Sequence, residues 1–98
     1  MSVNEVVLSG TAHDLLDLRF TPAGIPVMEF SLRHSSVQAE AGHNRRVELD
    51  MPAIAFGTLA QRLAQDAPSG PIMARGFLAR RSLRSMQIVL HARDIEFQ

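Results

Sequence analysis

The sequence predicts an all-β fold: a five-stranded barrel with one short helix between its third and fourth strands. Three observations carry this. Apolar and polar residues alternate in short runs, which is the period of a half-buried strand. Pro and Gly residues capable of turning the chain separate those runs. Only one stretch, at 57–66, has helical spacing. The chain has 98 residues, 46% hydrophobic and 20% charged, which suits one domain (1–98) with one core and is too apolar for a disordered tail.

The first strand is Val6-Val7-Leu8-Ser9-Gly10-Thr11, β-branched and apolar, with Gly10 marking a bulge or bend. Ala12 to Phe20 is weaker and could continue it. Thr21-Pro22-Ala23-Gly24 is a turn. The second strand shows the clearest alternation: Met28, Phe30 and Leu32 against Glu29, Ser31 and Arg33. Ser35 to Asn44 is polar and contains Gly42, so a long, mobile hairpin loop is expected. The third strand starts at Arg46, with Val47, Leu49 and Met51 opposite Arg46, Glu48 and Asp50. Pro52 lacks an N–H and suggests an edge or a bulge. Ala53 to Phe56 is apolar on both faces and should be covered.

Gly57 to Asp66 is the helix. Thr58 and Gln61 fit a capping box, and Leu59 and Leu63 share a face. Ala67-Pro68-Ser69-Gly70-Pro71 ends it. Ile72 to Ala79 is the fourth strand and Met86 to Phe97 the fifth, joined by the basic loop Arg80-Arg81-Ser82-Leu83-Arg84-Ser85. Five short strands with single apolar faces must curl on themselves, and the helix can plug one end. This is the element order of the OB-fold, a partly open Greek-key barrel; an SH3-like barrel usually lacks the helix.

Composition narrows the function. No cysteine is present, which excludes disulfides, iron–sulfur clusters, cysteine nucleophiles and Cys-based zinc sites. No apolar run is long enough to span a bilayer, so no membrane contact is expected. Met1-Ser2-Val3-Asn4-Glu5 shows no secretory pattern, and the expectation is a cytoplasmic protein. All ten basic residues are Arg, and they balance ten acids. Yet residues 31–46 carry +2 and residues 75–98 carry +3, against −3 in 1–30 and −2 in 47–74. A neutral protein with two basic segments can bind a polyanion locally if the fold joins them.

Two Arg sets could do so. Arg80, Arg81 and Arg84 sit on one loop, and a guanidinium can pair two phosphate oxygens or stack on a base. Arg33, Arg45 and Arg46, with His34 and His43, lie on the hairpin between the second and third strands. In an OB-fold the loop between the first and second strands and the loop between the fourth and fifth flank a binding face built on the second and third strands, so Arg45, Arg46 and the Arg80–Arg84 loop could line one groove. The competing reading pairs Arg46 with Glu48 or Asp50. Stacking platforms are scarce, since the chain has five Phe and no Trp or Tyr. Phe30 belongs to the core and Phe56 is ambiguous. Phe77, on the polar side of its strand, could be exposed. Stacking must then rely on Arg planes, His43 or Phe77.

Catalysis finds no pattern to support it. His13 with Asp14 and Asp17 reads as a polar turn, and His91 as structural. The four His show no metal-ligand spacing, and neither a nucleotide-binding glycine loop nor G-x-S-x-G occurs. A binding protein with no enzyme activity, cofactor or metal is expected.

A set of segments carries a family resemblance. In order they are Val7-Leu8-Ser9-Gly10-Thr11, Pro22-Ala23-Gly24-Ile25-Pro26, Ser36-Val37-Gln38-Ala39-Glu40-Ala41-Gly42, Met51-Pro52-Ala53-Ile54, Gly57, Gly76-Phe77 and Val89-Leu90-His91-Ala92. No single segment is diagnostic, but the ordered set resembles the primosomal replication protein N (PriB) family. The resemblance implies a homodimeric OB-fold that binds single-stranded DNA during bacterial replication restart. It also implies the PriA helicase and other primosomal proteins as partners, and no enzymatic activity. The family's basic loop residues fall on Arg80, Arg81 and Arg84, and its basic hairpin residue on Arg45. Val6 and Val7 fall on a dimer edge. Two departures matter. Family aromatics on the hairpin and early third strand are replaced here by His43 and Glu48, and the basic loop is shorter. Both point to weaker DNA binding or a shift toward protein contacts, that is, an adaptor. A generic OB-fold RNA binder is the third possibility, because a sequence does not show whether a 2′-hydroxyl is accommodated.

Overall fold

The computed structural model describes residues 2–68 and 70–98. The elements are β1 (Val6–His13), β2 (Arg19–Phe20), β3 (Pro26–Glu40), β4 (His43–Phe56), α1 (Thr58–Asp66), β5 (Pro71–Arg80) and β6 (Ile88–Phe97). The expected second to fifth strands are β3 to β6, because the two-residue β2 intervenes. The sheet runs β1-β5-β6-β4-β3, and a β1–β3 pairing closes it into a five-stranded barrel, with β2 attached outside on β3. All neighbours are antiparallel except β4 and β6. This is the expected OB-fold. Among the described residues no helix is long and apolar enough to cross a membrane.

The alternation along each strand builds the core. Met28, Phe30 and Leu32 of β3 point inward, joined by Ala53 and Ala55 of β4, Ile72 and Ala74 of β5, and Leu90, Ala92 and Ile95 of β6. Small and large side chains alternate, as a narrow barrel requires. Leu63 and Ala60 of α1, exposed by 1% and 0%, close one end. Gly57, at φ 71°, is the N-cap of α1 and makes no side-chain capping bond. Thr58 is therefore already helical, and the expected Thr58–Gln61 capping box does not form. Instead the Gly57 N–H donates to the Pro26 carbonyl at 2.9 Å, tying the helix start to β3.

Of the bulge or bend expected at Gly10, the bulge is absent: the β1–β5 register passes through it unbroken to Thr11, where β1 changes partner to Arg33 of β3. A Cβ at position 10 would collide with the Arg33 carbonyl. Of the edge or bulge expected at Pro52, the edge is what forms. Pro52 pairs opposite Ser31 in an unbroken register, just before β4 gains β6 as a second neighbour at Ala53.

The expected long loop at 35–44 is mostly strand. The β3–β4 register continues from Val27↔Phe56 to Glu40↔His43, leaving Ala41 and Gly42 as a two-residue turn. Both have positive φ, 51° and 80°, the signature of a type I′ hairpin. Polar composition suggested a loop, but backbone pairing needs no buried face. Beyond Arg33 the strand β3 has no further pairing with β1. Residues 34–49 therefore project from the barrel as a two-stranded ribbon.

Candidate nucleic-acid interface

Register places four outward side chains in one row across the barrel wall. Glu29 of β3 is opposite Ile54 of β4, Ile54 is opposite His91 of β6, and His91 is opposite Phe77 of β5. Their neighbours Phe30, Ala53, Ala55, Leu90 and Ala92 point into the core. The Phe77 and His91 rings are near parallel, with centroids 4.9 Å apart. Phe56, 43% exposed, extends the stack at 6.0 Å from His91. The Arg93 guanidinium lies 4.7 Å from the Phe77 ring centre, a cation–π contact. Burial lowers the pKa of His91, favouring its neutral ring.

Local backbone geometry aims these groups. The β5–β6 register runs Arg75↔Asp94 and then Gly76↔Ala92, skipping Arg93. Arg93 is thus the extra residue of a bulge, which turns its side chain outward over Phe77. Gly76 is required opposite: a Cβ there would run into the His91 carbonyl.

The basic loop bends over this face. Its ends are joined by the Arg81 N–H donating to the Gln87 carbonyl at 3.0 Å. Arg80 donates to the Leu83 carbonyl at 3.2 Å. Arg81 donates to Gln87 Oε1 at 2.7 Å and to Glu29 Oε1. Arg19 of β2 donates to the other Glu29 oxygen, Oε2, at 2.9 Å. Hydrogen bonds from Arg81 first, then Arg19, hold the Glu29 carboxyl below the usual carboxylate range. Among the described residues Arg84 has neither a hydrogen bond nor an ion pair.

The hairpin arginines differ. Arg33 donates to Asp50 at 3.2 Å, Arg45 to Glu40 at 3.0 Å and Arg46 to Glu48 at 2.8 Å. The competing sequence reading of Arg46 is realised, and the ribbon cancels its own charge. At its base His13 bridges Asp50 and Asp14, at 3.0 and 3.1 Å. The His13 hydrogen bond, then Arg33, lowers the Asp50 pKa. His43 is exposed beside the ribbon turn.

The two Arg sets do not line one groove. Arg45 pairs opposite Gln38, nine residues along β3 from Glu29, or about 30 Å of strand path at ~3.3 Å per residue. The barrel-wall site gathers Phe77, Arg80 and Arg81, with Arg84 on the same loop. His43, Arg45 and Arg46 lie along the ribbon, and Arg33 lies at its base. Sequence reasoning missed Arg19, Glu29, Phe56, His91 and Arg93. Alternation does put Glu29 on the polar face of its strand, but only the cross-strand register brings it into one row with His91.

The comparisons agree with this architecture. A family described as "Another single-strand binding protein family" matches residues 4–94. The replication restart protein PriB of Nitrosomonas europaea is 42% identical over 91 residues, covering 93% of this chain and 84% of that protein. PriB of Bordetella pertussis is 44% identical over 90 residues, covering 91% and 83%. The solved structure of PriB from Ralstonia solanacearum superposes with a TM-score of 0.87 at 31% identity, covering 99% of this chain and all of that one. The single-stranded DNA binding protein of Thermus aquaticus, at 24% identity and TM-score 0.75, covers 96% of this chain and 49% of its own, and shares the fold. A chain with this barrel, matched along nearly its whole length by these relatives, belongs to the replication restart protein PriB family.

Proposed function

We propose that this protein is an accessory factor of bacterial replication restart that binds single-stranded DNA and presents it to the PriA helicase. The observation that carries the reading is the juxtaposition on the barrel wall. A basic loop bearing Arg80, Arg81 and Arg84 flanks the Phe56–His91–Phe77 stack. Non-specific single-strand binders combine these two elements, cations for phosphates and flat side chains for bases. The stack supplies the platform that His43 and Glu48 leave out of the hairpin.

The protein acts in the cytoplasm as a homodimer. Among the described residues, 6–10 of β1 pair with β5 on one side only. Val7 is 55% exposed there. A free strand edge of this kind is a template for a second copy.

One observation favours a second reading, that of an adaptor working mainly through protein contacts. The ribbon neutralises its own arginines, so its 34–49 segment offers no net positive charge to DNA. A labelled oligothymidylate titrated into wild type and the Arg80→Ala/Arg81→Ala/Arg84→Ala variant separates the readings. Loss of affinity in the variant supports the DNA surface. Equal affinity, or none in either protein, favours the adaptor.

A further inference from the structure

We propose that Arg19 and Arg81 form a two-arginine phosphate site whose occupant in the free protein is the carboxylate of Glu29. The inference rests on the DNA-binding reading above and deepens it. The two guanidinium groups come from elements far apart in sequence, β2 and the β5–β6 loop. Each takes a different oxygen of one carboxylate: Arg19 Nη2 meets Oε2 at 2.9 Å, and Arg81 Nη1 meets Oε1. A phosphodiester presents the same chemistry, two acceptor oxygens sharing one negative charge. Glu29 thus stands where a backbone phosphate would be received.

Exposure supports exchange rather than a sealed structural ion pair. The Arg19 and Arg81 side chains are 56% and 42% exposed, while Glu29 beneath them is 14% exposed. A strand approaching from solvent meets the arginines first. Arg19 uses only one of its guanidinium nitrogens among the described residues, so donors remain for an incoming oxygen.

The position fits a strand path. Glu29 heads the row that continues through Ile54 and His91 to Phe77. A phosphate held between Arg19 and Arg81 would leave neighbouring bases over the stacked rings. The same contact has a second effect. Arg81 reaching Glu29 pins the loop 81–87 across β3 and β4, so displacing the carboxylate releases the loop toward the DNA. Glu29 is then a built-in competitor that keeps the free site closed and its affinity low.

The test is Glu29→Gln, which keeps the shape and removes the charge. Labelled oligothymidylate is titrated into wild type, E29Q, and E29Q combined with Arg19→Ala and Arg81→Ala. E29Q should bind about three- to tenfold tighter, as release of two exposed ion pairs allows. Its salt dependence should steepen by up to about 0.7 in log–log slope for an added phosphate contact. The combined variant should lose the gain. Affinity in E29Q equal to or below wild type overturns the proposal, since Glu29 would then position Arg81 or serve structure only. If E29Q does not fold, Arg19→Gln replaces it: the slope should shrink by about 0.7, and an unchanged slope overturns the site. Wild type that binds without an E29Q gain leaves the DNA reading standing and removes the clasp. E29Q that binds when wild type does not supports the clasp and removes binding by the free protein. No binding by any variant removes both.

Discussion

Phe77 on β5 and His91 on β6 oppose each other across the barrel wall, with ring centroids 4.9 Å apart and planes 18° apart. The pairing makes stability depend on pH. Burial lowers the His91 pKa, so the folded chain resists a proton that the unfolded chain accepts. Stability therefore falls as pH drops below about 6.5, the ordinary histidine value. His91→Phe keeps a flat ring and removes that proton. Its melting temperature should change less than that of wild type between about pH 7 and pH 5.5. Glu29 and Asp50, with lowered pKa values, lose their contributions only in more acidic solution. Equal pH profiles for variant and wild type would contradict the burial argument.

Gly76→Ala should be among the most damaging small substitutions. The added methyl meets the His91 backbone carbonyl, which no rotamer change can move aside. A loss of about 2 kcal/mol is expected, seen as a fall in melting temperature of about 10 °C. The Phe77–His91 stack should loosen with it.

Ala41→Asn should strengthen the ribbon. Ala41 holds φ 51° ahead of Gly42, and Asn tolerates that region better in a type I′ turn. Amide hydrogen exchange in residues 36–47 should slow by about threefold, equivalent to ~0.6 kcal/mol. Unchanged exchange would mean the turn conformation does not limit ribbon opening.

The fold was legible because alternation decides it. Met28, Phe30 and Leu32 announce a one-faced strand, and five such strands with a single helix leave few closed arrangements. The ribbon was not, because His34 to Leu49 has no buried face to leave a pattern. The candidate site was legible by parts. Arg80, Arg81 and Phe77 stand out as residue types, and the structure does place them together. In the sequence Glu29 is one polar residue of an alternating strand. Its meaning depends on Arg81, 52 positions away, and only the closed barrel brings them into contact. The ribbon arginines stand apart from that site because Arg45 is opposite Gln38, nine residues along β3 from Glu29, and Glu40 and Glu48, two to five residues from them in sequence, pair with them.

Dimerisation through β1 predicts a sedimentation mass near twice the 10.8 kDa of the chain. Val7→Asp places a charge on the free edge and should shift the protein to monomer while leaving its melt cooperative. Wild type that sediments as a monomer at micromolar concentration would count against the β1 edge.

The barrel wall is proposed as the surface for single-stranded DNA. The most direct test is fluorescence anisotropy of a labelled oligothymidylate of about 30 nucleotides, titrated with wild-type protein at several salt concentrations. The label must be on the DNA, because the chain has no Trp. Binding whose log K falls with log salt at a slope of about −2 to −4 is expected, corresponding to roughly three to six phosphate contacts. Absence of binding at low salt, or affinity that ignores salt, would contradict a surface built on these arginines.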